Sequence, residues 1–178
     1  MLRKIFVSVV LLCTFHLVRA EVLNGTVVGV SDGDTITVQD ISNNEHKVRL
    51  MGIDAPEKSQ AFGREAKQTL SNYIYKKKVS VEYKKLDKYK RIVGKVTLDG
   101  QDICLQMIRE GMAWHYSEYE KEQSKTDRDL YREAEATARE MKIGLWKEVS
   151  SLAPSVFRKK LIKVFNLESL ASTSTDFF

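Results

Sequence analysis

Cysteine is nearly absent from this chain: Cys13 falls in the apolar N-terminal run, which leaves Cys104 alone in the body. No internal disulfide can form there, so the fold must stand on its core, and Cys104 reads as a small buried apolar residue. Long apolar runs are also missing. The run from Ile5 to Leu17 is too short for a comfortable membrane span, and no later stretch approaches the roughly 20 apolar residues that spanning requires. A strong excess of one charge sign is missing too. Setting aside Arg3, Lys4 and Arg19 leaves 26 Lys and Arg against 24 Asp and Glu, a net charge of +2. Such a chain does not hold polyanions by total charge; if it binds phosphate, it does so through local clustering of cations. No internal repeat is evident.

The N-terminus carries a different message. Arg3 and Lys4 precede the apolar run, and Val18-Arg19-Ala20 puts a small residue before Glu21. This is the layout of a secretory leader over residues 1–20, cut after Ala20. An uncleaved anchor, with Arg19 beside the proposed cut, is the alternative. Both readings place the rest of the chain outside the cytoplasm, secreted or periplasmic. Leu12 stands where a lipid-modified Cys13 would need a small residue, so a lipoprotein is rejected. Residues 21–149 have the length of one domain with a single core, and residues 150–178 form a C-terminal extension.

Three β-branched runs, Thr26–Val30, Thr35–Val38 and Lys47–Ile53, are separated by Ser31-Asp32-Gly33 and Ser42-Asn43-Asn44. They predict three antiparallel strands. After Pro56, the spacing of Phe62, Ala66, Leu70 and Ile74 predicts a helix through Tyr75, ended by Lys76 to Lys78 with favourable charge. Val79, Val81 and Tyr83, then Val93, Val96 and Leu98, predict two more strands around a charged Leu86–Arg91 loop. Asp102 caps a short helix carrying Ile103, Met107 and Ile108 and closed by Gly111. A further helix is expected near Thr126, where Thr126 and Asp129 resemble a capping box, with Leu130, Ala134, Ala138 and Met141 on one side. The expected fold class is mainly β or α+β: a five-stranded OB-type barrel with about three packing helices, an architecture that often holds oligonucleotides. In the extension, Val156, Phe157, Leu161, Ile162 and Phe165 among Arg158, Lys159, Lys160 and Lys163 suggest a short basic amphipathic helix, read either as a contact for membrane or nucleic acid or, preferably, as a marginal helix packed loosely on the domain. The Ser and Thr end reads as disordered.

Within 26 residues the chain places Asp32, Asp34, Arg49, Asp54 and Glu57, mostly at strand ends or in turns, and Arg91 follows from the later loop. Asp34 and Asp54 with a backbone carbonyl suit a hard divalent cation that keeps several waters. A phosphodiester repels nucleophiles, and its transition state gathers more negative charge, so cations must face it. Arg49 and Arg91 offer planar guanidinium groups that donate paired hydrogen bonds to phosphate. Glu57 is then placed to orient or deprotonate a water. Singly, each piece has a structural reading: Asp-Gly-Asp is a common turn, and Asp before Ala-Pro commonly ends a strand.

Together, Asp32-Gly33-Asp34-Thr35, then Arg49-Leu50-Met51-Gly52-Ile53-Asp54-Ala55-Pro56-Glu57, then Asp87-Lys88-Tyr89-Lys90-Arg91 resembles the staphylococcal nuclease (thermonuclease) family in order and spacing. The resemblance continues through Phe62-Gly63-Arg64-Glu65-Ala66, the Leu105–Gly111 segment with Ala113, and Gly144-Leu145-Trp146, covering about Val22 to Trp146. It implies that Asp34, Asp54 and the Ala55 carbonyl bind calcium, that Arg49, Glu57 and Arg91 are catalytic, and that Asp32 and Thr35 support the ligands from behind. It further implies attack on the 5′ side of the phosphodiester, leaving 3′-phosphate products from DNA and RNA. The chain departs from the family at Lys90, where many relatives have Gly, and at Ala55, which replaces a Thr used only for its carbonyl. The loop after Glu57 is shorter, and Ser117 replaces a tyrosine near the nucleotide. Lys88, Tyr89 and Tyr119 offer charge and base stacking in its place, with solvated loop and packing roles as the other reading. His46 and His115 read as structural or surface residues, and Trp114, Tyr116 and Trp146 as packing.

The expected function is an exported, calcium-dependent nuclease of DNA and/or RNA with little sequence specificity, acting as a monomer with no stable protein partner and no membrane span in the mature chain. A noncatalytic nucleic-acid-binding module of the same fold is the alternative, as is a phosphodiesterase for another substrate.

Overall fold

Three β-branched segments at the start of the chain pair in sequence order. In the computed structural model, which describes residues 20–148 and 151–173 with side chains through Lys163, β1 (Glu21–Val30), β2 (Thr35–Gln39) and β3 (Glu45–Leu50) form an antiparallel meander. Val27 pairs with Val38 and Thr35 with Arg49, and a bulge between Val27 and Gly29 bends β1. A bulged strand can curl, and this one pairs on its other side with β5 (Lys78–Leu86), itself in an antiparallel hairpin with β6 (Ile92–Leu98). Closure comes from a parallel pairing of β3 with β6, through Val48–Ile92, Arg49–Val93 and Leu50–Gly94. The result is a closed, five-stranded, mixed barrel of OB type, the architecture predicted from the sequence.

Shorter elements decorate the barrel. A two-residue β4 (Ile53–Asp54) pairs with β8 (Trp114–His115), and β7 (Gln101–Asp102) extends β6. Inward-facing Val27, Ile36, Val38, Val48, Val81 and Val96 are completely buried, as alternation requires. Helix α1 (Gly63–Ile74) adds Ala66, Leu70 and Ile74, and α2 (Ile103–Arg109) adds Ile103, Met107 and Ile108. Each large side chain buried this way contributes roughly 1.5–3 kcal/mol. A second cluster of Trp114, Ala138, Leu145 and Trp146 ties α3 (Lys125–Glu140) to β8, with Trp114 and Trp146 edge to face at 5.1 Å. Cys104 is fully buried.

The details differ from expectation in three places. Phe62 lies outside α1, at φ 64°, and packs on the second cluster, while α1 ends at Ile74 with no basic residue in its last turn; Lys76 takes a left-handed turn and Lys78 already opens β5. The cap of α3 is Ser124, whose hydroxyl accepts from the Asp127 N–H at 3.0 Å, and Thr126 with Asp129 plays no such part. Its buried face is Tyr131, Ala134 and Ala138, with Leu130 and Met141 exposed, because the Tyr131 hydroxyl donates to both carboxylate oxygens of Asp102 and sets the helix rotation. The extension forms α4 (Pro154–Thr173); among its described side chains Val156, Leu161 and Ile162 are exposed, Pro154 is buried and Phe157 half-buried, while Phe165 lies outside them. Among the described residues no helix is long and apolar enough to cross a membrane; the leader falls on residues 1–20, almost wholly outside them.

Candidate functional site

Glycine 33 sets the site's first carboxylates. A Cβ there would lie 2.7 Å from the Cβ atoms of both Ala55 and Ala66. Only a residue without a side chain lets the Asp32–Asp34 turn press between α1 and the segment after β4. That approach carries Asp34 to Ala55, whose N–H donates to Oδ2 at 2.8 Å. Asp34 Oδ1 accepts from the Thr35 hydroxyl at 3.0 Å, and Asp32 Oδ1 accepts from the Asp34 N–H at 3.1 Å. Asp32 and Thr35 therefore buttress Asp34 directly.

Arg49 enters from the end of β3. Its Nη1 donates to the carbonyls of Leu50 and Ile53, at 2.9 and 2.8 Å, which fixes the guanidinium plane. One nitrogen, Nη2, then meets both acids: Asp34 Oδ2 at 3.0 Å and Asp54 Oδ1 at 3.1 Å. The two carboxylates, 20 residues apart in sequence, thus lie within reach of one atom. Both are buried. Burial pushes Asp34 up to about 7 against the pull of Arg49, with repulsion from Asp32 and Asp54 adding to the rise. Burial likewise lifts Asp54, opposed by Arg158 and Arg49. Two acids held so far from water need more positive charge than Arg49 supplies.

That demand for positive charge, met here by Arg49 and Arg158, is the test of whether a divalent cation fits. Among the described residues no three His, Cys, Asp or Glu side chains gather into a metal-holding group. The donor set is two hard carboxylates with neighbouring backbone carbonyls, which suits a cation that keeps much of its water shell rather than one caged by protein. The residues present fit such an ion.

Glu57 stands on the loop between β4 and α1. Its N–H donates to the Gln60 side-chain oxygen at 3.2 Å, and its carbonyl accepts from the Gln60 N–H at 2.8 Å. Its side chain meets the acids through a residue that sequence reasoning missed. Arg158 of α4 donates through Nη1 to Glu57 Oε1 at 2.7 Å and Asp54 Oδ1 at 3.1 Å, and through Nη2 to Asp54 Oδ2 at 3.1 Å. The only signal was a cation run beside apolar residues; nothing in it names a partner 104 positions away.

Arg91 is held elsewhere. Its Nε and Nη2 bond Asp87 Oδ2 at 2.8 and 2.7 Å, and the Asp87 side chain also accepts from the N–H groups of Tyr89 and Arg91. Asp87, given no role from sequence, thus orders the whole β5–β6 turn. Lys90 takes the left-handed conformation that glycine would adopt there, at φ 62°. No hydrogen bond or ion pair joins Arg91 to Asp34, Asp54 or Glu57 among the described residues. The exposed Tyr89 ring has the Lys88 ammonium 5.0 Å and the Arg91 guanidinium 5.4 Å from its centre. Tyr119, half exposed, tilts against Tyr116 at 4.9 Å. His46 pairs with Asp40, and His115 with Gln123; among the described residues neither bonds Asp34, Asp54 or Glu57.

Comparison with known proteins bears on this arrangement. The sequence profile described as "Staphylococcal nuclease homologue" matches residues 47–148. An uncharacterized endonuclease of Haemophilus influenzae is 40% identical over 149 residues, 83% of this chain and 80% of that protein. An uncharacterized endonuclease of Escherichia coli is 35% identical over 89% of this chain and 99% of its own length. A micrococcal nuclease of Shigella flexneri is 38% identical over 76% of this chain and 80% of its own.

Proposed function

The chain belongs to the staphylococcal nuclease family, and from that membership and the geometry of its rim we propose that it is a divalent-metal-dependent nuclease of DNA or RNA. The observation that carries the reading is Arg49 Nη2 in contact with both buried acids, Asp34 and Asp54. This arrangement suits a divalent cation on the carboxylates and the negative charge of a phosphodiester on the guanidinium.

Asp34, Asp54 and the Ala55 carbonyl would hold the ion, with calcium the favoured species and Asp32 and Thr35 fixing the Asp34 carboxylate. When bound, the ion supplies positive charge for the transition state and an ordered water. Arg49, its Nη1 held by two carbonyls, would meet phosphate through the N–H groups left on Nε and Nη2. Glu57, half exposed, takes the proton of the attacking water once its own oxygen is free. Arg91, steered by Asp87, supplies the second guanidinium. Lys88, Tyr89 and Tyr119 contact the nucleotide by charge and stacking, which tolerates any base. Attack on the 5′ side would leave 3′-phosphate ends. The leader-like residues 1–20 support action outside the cytoplasm, with residues 21–149 as the domain, acting as a monomer.

The test is cleavage of supercoiled plasmid and single-stranded RNA, with calcium, magnesium or chelator, by the chain and by its Glu57→Ala and Arg49→Ala variants. Calcium-dependent cutting lost in both variants supports the reading. Intact substrate with retained binding would instead identify a noncatalytic binding module.

A further inference from the structure

The C-terminal extension is fastened to the domain at the site's own loop. Ser151 donates to the Leu145 carbonyl, Gln60 donates to the Leu152 carbonyl, and Ala153 packs against the Trp114–Trp146 cluster. Pro154 is buried and starts α4. Gln60 is also the residue that accepts from the Glu57 N–H, so one amide side chain joins the extension to the loop of the general base. From this anchor, α4 carries Arg158, its fifth residue, to Asp54 and Glu57.

Arg158 takes both oxygens of Asp54, one per nitrogen, and shares Nη1 with Glu57. Each bond consumes something that the proposed reaction requires. Asp54 needs an outward lone pair for a cation, and a guanidinium on both oxygens shields that direction. Glu57 needs a free oxygen to accept a proton from water, and Arg158 Nη1 occupies its Oε1. A cation arriving at Asp34 and Asp54 also meets Arg158 as a like charge. At 38% side-chain exposure, Arg158 can leave for solvent without unfolding the helix.

Building on the metal reading, we infer that Arg158 is an autoinhibitory latch: a resident counter-cation that competes with the divalent ion for Asp54 and holds Glu57 inactive until displaced. Lys159 and Lys160, adjacent on α4 but exposed, do not share these contacts.

Calorimetric titration of calcium into the full chain, and into its Arg158→Gln, Arg158→Lys, Lys160→Gln and Asp54→Asn variants, tests this without any turnover measurement. Losing a charge-assisted pair to two carboxylates is expected to tighten calcium binding roughly tenfold in Arg158→Gln. Arg158→Lys, which keeps the charge but cannot span both oxygens, is expected to fall between, and carries the test if the glutamine variant fails to fold. Lys160→Gln is expected to match the parent. Equal affinity in the parent and Arg158→Gln, with binding lost in Asp54→Asn, overturns the latch and leaves the metal site standing. Equal tightening in Lys160→Gln, or weaker binding in Arg158→Gln, also overturns it, since the effect would then be general charge or ligand support. No calcium binding by any form removes the metal reading and the latch with it.

Discussion

Replacing Gly63 with alanine is predicted to slow the reaction without touching any group that takes part in it. Gly63 opens α1, and a Cβ built on it would lie 2.0 Å from the Glu57 carbonyl oxygen, 2.8 Å from the Glu57 carbonyl carbon and 3.2 Å from Lys58 Cα. Real Cβ atoms essentially never approach closer than 3.0 Å, and the obstructing atoms are backbone, so the Glu57 peptide must retreat by about 1 Å. A misplacement of that size costs on the order of 100-fold in rate, about 2.7 kcal/mol of barrier. Overpacking should cost stability about 1–3 kcal/mol, partly offset by the better helix propensity of alanine, up to about 1 kcal/mol. The variant is therefore expected to stay folded, with kcat for plasmid cleavage down about 100-fold and KM little changed. Circular dichroism and a melting curve establish the fold; turnover equal to the parent in a folded Gly63→Ala protein would refute the reasoning, because the Glu57 loop would then have room that the structure denies it.

Three further outcomes follow from the same structure. Asp34 has its folded pKa raised above the unfolded 3.8 to about 7, so its contribution to stability is complete below about pH 4 and is lost as pH rises through about 7; in chelator, the urea midpoint of Asp34→Asn should fall less between pH 5 and 8 than the parent's, and parallel curves would contradict this. Lys90 sits at φ 62°, and Lys90→Gly should raise the urea midpoint by an amount equivalent to about 0.5–1 kcal/mol, the left-handed strain less the chain entropy of glycine; a lower midpoint would show that the turn is not strained. Burial pushes the Cys104 thiol up to about 12, so a thiol reagent at pH 8 should label the native protein only as fast as it unfolds, and rapid stoichiometric labelling would refute the burial.

The barrel was legible because its strands announce themselves locally. Ile36, Val38, Val81 and Val96 alternate with polar neighbours, and turn residues mark the gaps. The parallel pairing of β3 with β6 was not legible, since no local signal records which distant strands meet. The acids and Arg49 could be picked out because strand ends and turns concentrate chemistry at a rim. Asp87 and Arg158 could not, for opposite reasons: Asp87 works by hydrogen bonding its own turn, which any Asp in a loop can do, whereas Arg158 works across 101 and 104 residues of sequence. On α3 the expected Ala134 and Ala138 are buried, but Tyr131 replaces Leu130 and Met141 on that face, its hydroxyl bonded to Asp102 in a way that apolar spacing does not record.

The parallel closure also orders events in time. Asp34, Arg49 and Asp54 lie close in sequence, yet β3, which carries Arg49, is flanked by β2 on one side, with Arg49 beside Thr35, and by β6 on the other, with Arg49 beside Val93. Joining strands more than 40 residues apart is slow, since the chain between them must first lose its freedom. Until β6 is in place, the strand that carries Arg49 has only its β2 neighbour, and the rim stands supported on one side alone.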